Sequence, residues 1–333
     1  MSSFDRRKFL KVSALSAGAV ASAEVVQAQE RGDASSIPLR PLGKTGKLVS
    51  IVGFGGGSRY MQQKDEETAE KMIHRAVELG INYFDTAHGY QQDGERLSHI
   101  RYGKYLVPNY RRQITLVSKL SARDAEGAKR QFEETMKELN ADHLDILHFH
   151  ALGSKEDIDQ ILAADGALKA YQQWKDEGVI KYIGCTGHAD STVILDAMKR
   201  IQPDVVMCPQ NPAHAEDRRG YTGINFSRDV LPYGLEHGIG LVAMKTTAQN
   251  HLIGKGDIPV EKLIEYALNL PVAAAVIGMP SLEVVESNAR IARSLKPMTQ
   301  EEREEIRKQV AYAGGHQRLP YRVAGYQDGV FIA

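Results

Sequence analysis

The chain has 333 residues, 42% of them hydrophobic, which is the make-up of a globular protein with enough material for a substantial core. Lysine plus arginine and aspartate plus glutamate balance at 42 each, so no overall field draws the chain to nucleic acid or to an anionic membrane. Two cysteines, Cys185 and Cys208, make no disulfide framework and read as small buried hydrophobes.

Residues 1–28 read as an address. Arg6 and Arg7 precede a mild, Ala- and Ser-rich apolar run, and Val26-Gln27-Ala28 offers a small-residue cleavage pattern. This resembles a twin-arginine export signal, implying contact with that export machinery and a periplasmic destination, with retention as an uncleaved anchor as the alternative. The run is too short and polar for a stable membrane span in the mature form. A polar linker covers residues 29–36, and a folded unit is expected over residues 37–299, with a helix and tail over 300–333.

Leu39 to Val49 contains two short apolar pieces around Gly43-Lys44-Thr45-Gly46, the pattern of a β-hairpin. From there strands and helices alternate. Strands are predicted to begin near Val49, Asn82, Ile114, Asp145, Ile180, Val205, Gly240 and Ala273, at intervals of about 25–35 residues. Helices are predicted at 66–79, 94–105, 126–139, 166–177, 191–200, 226–237, 260–269 and 282–295, and another at 300–313. Eight such units predict an α/β fold, a closed (β/α)8 TIM barrel, with an N-terminal hairpin and an irregular C-terminal tail. No glycine fingerprint opens the first helix, which disfavours a doubly wound open sheet. The tail carries Tyr321, Tyr326 and Phe331 and reads equally as a cover for the barrel mouth or as a contact for a partner subunit.

In such a barrel, chemistry sits at the C-terminal ends of the strands. Those ends carry Asp85 with Tyr90, Lys119 and His150, on the second, third and fourth strands. A phenol titrates near 10 when unperturbed, so a proton-donating tyrosine needs a cation beside it. Lys119 supplies the cation, and Asp85 an anion to hold it. Each residue also has a plainer role: a helix cap for Asp85, a rim aromatic for Tyr90, a solvated strand end for Lys119. His148 shares a strand face with His150 and competes with it.

Phe84-Asp85-Thr86-Ala87 with Tyr90, Ser118-Lys119-Leu120, and the run from Leu144 to His150 together resemble the aldo-keto reductase family in order and spacing, over residues 39–295. The resemblance implies hydride transfer between a nicotinamide cofactor, NADP with NAD possible, and a small-molecule carbonyl or alcohol. Tyr90 would be the general acid/base and His150 the group that orients the carbonyl. It also implies a cofactor site at the other strand ends: Gly55 and Gly56, Thr186 and Gly187, Gln210, Met244 and Lys245, Gly278, Met279, Ser281 and Asn288. Gly187 departs from the family's Ser-Asn pattern, Met244 stands where an aromatic ring is common, and Gly278 and Val284 stand where many members place a Lys and an Arg. Ser281 reads as a phosphate contact at a helix start or as a simple cap.

Two other classes compete. A metal-dependent barrel hydrolase would use the His148/His150 pair, recruiting a group such as His188, but would leave Asp85, Tyr90 and Lys119 unexplained; the reductase reading calls for no metal. A cofactor-binding barrel without turnover would not need the complete set of four.

Overall fold

The computed structural model describes residues 36–214, 225–312, 319–322, 326 and 328–329. The export leader, nearly all of the linker, and Phe331 lie outside the described residues. Among those described, no helix is long and apolar enough to cross a membrane.

Strands β1 (Leu39–Pro41) and β2 (Leu48–Ser50) pair antiparallel as the expected hairpin. Gly43 at φ 53° and Gly46 at φ 71° make its turn, a left-handed geometry that glycine adopts without cost. The hairpin seals the N-terminal end of the barrel. Arg40 Nη1 donates to the Leu268 and Val272 carbonyls at 2.9 Å each, Lys44 N donates to Gly238 O at 2.8 Å, and Lys47 Nζ pairs with Asp145 at 2.8 Å.

Eight parallel strands then close on themselves: β3 (Val52–Gly55), β4 (Tyr83–Asp85), β5 (Thr115–Leu120), β6 (Leu144–Phe149), β7 (Ile180–Thr186), β8 (Val205–Pro209), β9 (Gly240–Met244) and β10 (Ala274–Gly278), with β10 pairing back onto β3. The barrel is the predicted one. One boundary differs: the single strand expected from Val49 is split, Val49 belonging to the hairpin and the barrel strand starting at Val52. Ser50 makes the break, donating its hydroxyl to Val52 O at 2.7 Å while its backbone N donates to Asn82 Oδ1 at 2.7 Å. These bonds hold a bend that hydropathy alone does not reveal.

Side chains alternate along each strand. Tyr83, Val117, Ile146, Val205, Met207, Val242, Met244 and Val276 fill the interior, whereas Phe54, Phe84, Leu116, Leu147 and Phe149 face the surrounding helices. Those helices arise from ordinary amphipathic spacing. In Ala125–Leu139, the buried Ala128, Phe132, Thr135 and Leu139 form one stripe, Asp124 caps the start by accepting from Gly127 N, and left-handed Asn140 ends it. The predicted helix at 94–105 is instead a composite of Leu97–Arg101, a π turn at Tyr102–Leu106 and Val107–Tyr110. A helix at Lys155–Leu162 has no counterpart among the predicted elements, although Ser154 and Asp157 form a capping box at its start. The helix at Gln300–Tyr312 follows the barrel, and Leu319 and Tyr321 beyond it are buried in the outer core.

Candidate active site

Asp85 ends β4, Lys119 lies in β5, and His150 follows β6 directly. Closure of the barrel brings the three within reach of Tyr90, in the loop after β4. Lys119 Nζ donates to Asp85 Oδ2 at 2.6 Å, to Thr86 O at 2.8 Å and to Tyr90 Oη at 3.2 Å. The His150 ring packs edge-on to Tyr90 with centroids 5.6 Å apart. All four sequence-predicted catalytic residues are therefore buried together around one point.

The loop carrying Tyr90 is tied down from behind. Thr86 and Ser98 share a hydroxyl hydrogen bond at 2.7 Å, His88 N donates to Lys119 O at 2.9 Å, and Gly56 N donates to Asp85 O at 2.7 Å. Buried His99 bridges Ser118 Oγ at 3.0 Å and Glu138 at 3.2 Å, and Arg96 pairs with the same Glu138. These contacts fix the strand ends that carry Asp85 and Lys119.

Burial dominates the titration behaviour. It raises the Asp85 carboxyl to about 6 against the pull of Lys119, so at neutral pH the carboxylate that accepts from Lys119 is ionised. It lowers His150, which is therefore a neutral imidazole at pH 7. The Tyr90 phenol lies well above its ordinary value, through burial first and then through the carboxylates of Asp328 and Asp85. Lys119 is placed to favour the phenolate, as expected from the sequence, but in this arrangement nearby negative charge and burial prevail.

Asp328 is the residue that sequence reasoning missed. It belongs to the tail, and its Oδ2 accepts from Tyr90 Oη at 3.3 Å and from His150 Nε2 at 3.1 Å. Of the two sequence readings of the tail, the described residues follow the cover over the mouth: Tyr326 stands edge-on to His188, with centroids 4.8 Å apart, and its hydroxyl accepts from Lys245 Nζ and from Gln249 Nε2, each at 2.9 Å. His188 also lines the mouth, buried against Tyr326 and near the Tyr321 backbone. Burial lowers it to about 4.

His148 lies deeper, in β6 beside Lys119 and Gly184, and is completely buried. Burial and the neighbouring Lys119 hold it well below its ordinary value. Among the described residues, no group of three His, Cys, Asp or Glu side chains is arranged to hold a metal ion.

The expected cofactor residues spread around the same mouth and do different things. Thr186 Oγ1 accepts from Ala151 N at 2.9 Å, and Gln210 Oε1 accepts from Ser227 Oγ at 2.6 Å. Gly187 has no room for a side chain, since a Cβ would lie 2.7 Å from Leu152 O and 2.5 Å from Ile194 Cδ1. That crowding explains why the position departs from Ser-Asn. Gly55 and Gly56 are crowded likewise, by Ile277 O and by Ser98, Tyr102 and Asp85 O, while Gly57 lies against the Tyr90 ring. Met244 caps the interior cluster, whereas Met279 faces the outer core. Lys245 adopts a left-handed backbone, φ 54°, as does Ala151 after His150, φ 53°. Such conformations are uncommon outside glycine and concentrate at functional sites.

The adenosine-side residues fit a nucleotide. Ser281 precedes the helix Leu282–Arg293 but makes no side-chain cap bond; the Glu283 carboxylate, held low by the Ser281 hydroxyl and its own backbone N–H, occupies the first turn, where a phosphate would have to displace it. Asn288 is buried, and its amide Nδ2 has no partner among the described residues, an unpaired donor of the kind a ligand would satisfy. Gly278 is exposed, and the stem of Arg59 lies over it, 2.8 Å from where a Cβ would be. The Arg59 guanidinium itself donates to Gln249 O at 3.4 Å, so it is the stem of an arginine, just after β3, that borders Gly278.

The family model for the aldo/keto reductase family matches residues 52–263. The chain belongs to the aldo/keto reductase family. It is 28% identical over 308 residues to L-galactose dehydrogenase of Arabidopsis thaliana, covering 79% of this chain and 91% of that one. It is 29% identical over 213 residues to (1S)-1,7-diacetoxy-luvungin A aldo-keto reductase of Citrus sinensis, covering 58% and 65%. Among solved structures it resembles the holo form of an aldo-keto reductase from Bacillus halodurans, with a TM-score of 0.65 and 26% identity over 82% of this chain and 96% of that one. The relatives support an oxidoreductase.

Proposed function

We propose that this aldo/keto reductase interconverts a small carbonyl compound and its alcohol with NADP, or with NAD, and that Tyr90 is the general acid/base. The observation that carries the reading is the buried Asp85–Lys119 pair with Lys119 Nζ at 3.2 Å from Tyr90 Oη. A cation there makes the phenol a better proton donor to the oxygen on which charge develops. His150 Nε2 faces the same point, and a neutral imidazole with its proton there would hydrogen-bond the carbonyl and orient it. In the reverse direction Tyr90 takes the proton from the alcohol.

A bound nicotinamide cofactor would supply or accept the hydride. Thr186, Gln210 and Met244 are the groups at hand for its nicotinamide end, and Ser281 and Asn288 for its adenosine end. Arg59, beside Gly278, is the candidate for a 2′-phosphate and favours NADP over NAD. The leader supports export by the twin-arginine route, which carries folded cargo, so the cofactor would be loaded before the protein reaches the periplasm.

The test is a fluorescence titration of the protein with NADPH and with NADH, paired with turnover of simple aldehydes by the wild type and by Tyr90→Phe. Cofactor binding kept in both proteins, with turnover lost only in the variant, supports the assignment. Full turnover in Tyr90→Phe refutes it.

A further inference from the structure

The tail carboxylate grips the mouth with both oxygens. Oδ2 of Asp328 takes the two donors, Tyr90 Oη and His150 Nε2, that the reductase reading assigns to a carbonyl oxygen. Oδ1 accepts from Lys245 Nζ at 2.7 Å and from Tyr326 Oη at 2.9 Å. Gly329 follows, pressed so closely against the Tyr90 ring that a Cβ there would overlap it. A carbonyl group therefore cannot reach Tyr90 until Asp328 leaves.

Departure of the tail has an electrostatic consequence. The Lys245 side chain is 7% exposed, and its ammonium is hydrogen-bonded only to Asp328 and Tyr326 among the described residues. Both partners belong to the tail and leave together. A neutral ligand filling the place of the tail would cover the ammonium without pairing it, whereas an oxyanion there would replace one negative charge by another. His188, buried and facing Lys245 and Asp328, offers a further polar contact to such a group.

We propose that Asp328 holds the place of a ligand oxyanion: Lys245 selects a ligand bearing a carboxylate or phosphate, and that group, by taking over the ammonium, displaces the tail and frees Tyr90 and His150. The inference rests on the proposed reductase function for what the freed pair then holds. The oxyanion has two sources, a carboxylate carried by the substrate near its carbonyl, or a phosphate of the cofactor. In either case the tail is an intramolecular competitor, and Lys245 rather than the catalytic pair discriminates charged from neutral ligands.

The experiment uses the full chain and follows amide hydrogen exchange in the peptide containing Tyr326 and Asp328. Three ligands are added separately: succinic semialdehyde, its uncharged counterpart butanal, and NADPH. Faster tail exchange with succinic semialdehyde but not butanal supports a substrate carboxylate. Faster exchange with NADPH alone supports the cofactor phosphate. Equal opening by butanal and by the charged ligands, or opening by none, overturns the proposal. In a parallel binding series, Asp328→Asn weakens the competitor and is expected to tighten the displacing anion by on the order of tenfold, the gain from raising the binding-competent fraction. Unchanged or weaker binding overturns it. Lys245→Met should erase the preference for the acid or the phosphate, and a preference that persists is equally fatal. The two readings fail separately: tighter anion binding by Asp328→Asn with no turnover of any aldehyde leaves the tail inference standing and sinks the reductase assignment.

Discussion

Replacing Asp85 by Asn tests the chain of support that runs from Asp85 through Lys119 to Tyr90. The substitution keeps an oxygen for the 2.6 Å bond to Lys119 but removes the charge facing a side chain that is 1% exposed. Removing one partner of a buried ion pair costs about 3–5 kcal/mol, because the other charge remains where water cannot reach it. The midpoint of urea unfolding should therefore fall measurably. Turnover should fall by about a hundredfold, the low end of what a positioned general acid contributes, since Tyr90 remains but its cation is no longer held. The decisive assay is a double-variant cycle on kcat with Tyr90→Phe. If Asp85 acts through Tyr90, the double variant is no slower than Tyr90→Phe alone. Additive losses in kcat would refute the relay and give Asp85 an independent role.

The remaining expectations concern pH, the cofactor and stability. Asp85 must be ionised to hold Lys119, and burial raises its carboxyl to about 6, so kcat/KM should drop as pH falls through about 6; the limb should vanish in Asp85→Asn. Asn288→Leu removes an unpaired buried donor, so thermal stability without cofactor should hold or rise while NADPH affinity falls by about tenfold; calorimetry and the fluorescence titration read the two effects separately. Asp145→Asn should cost about 3 kcal/mol in urea unfolding, because Lys47, Arg111 and Lys181 all converge on this 1% exposed carboxylate. Burial works against its charge, yet Arg111 and Lys47 outweigh burial and hold it at about 2. A depressed value stabilises the fold above the unfolded carboxyl's range near 4, and that contribution should disappear as pH falls from about 4 to 2 in wild type but not in the variant.

Much of the architecture was legible because strand–helix units repeat at regular intervals and because polar residues at strand ends have few reasons to be there except chemistry. Asp85, Lys119 and His150 could be grouped from strand position alone, and the family spacing chose His150 over His148, which proves to lie deeper and to face no tail group. What the sequence hid was long-range. Asp328 is one acid in an irregular tail, with no periodicity to mark it, yet it bonds to Tyr90 and His150, which lie far away along the chain. Arg59 lies just after the first barrel strand and reaches the segment at Gly278, near the other end of the barrel's sequence. The break at Ser50 and the crowding at Gly187 depend on single hydrogen bonds and on a neighbour's carbonyl, which hydropathy does not register. The capping box at Ser154 and Asp157 was a local signal of the unpredicted helix, and reading it would have placed that helix.

The site draws Asp85 and Tyr90 from β4 and the loop after it, Lys119 from β5 and His150 from the residue after β6, and the cylinder that holds them together is closed by β10, the last strand in the chain, pairing with β3, the first. Gly278, at the end of β10, pairs with Gly55 directly beside the β4 strand that carries Asp85. The seam is thus part of the site's foundation: a substitution that loosens the β10–β3 pairing, though remote in sequence from Asp85, should lower turnover before it unfolds the barrel, which activity and circular dichroism along one urea titration would separate.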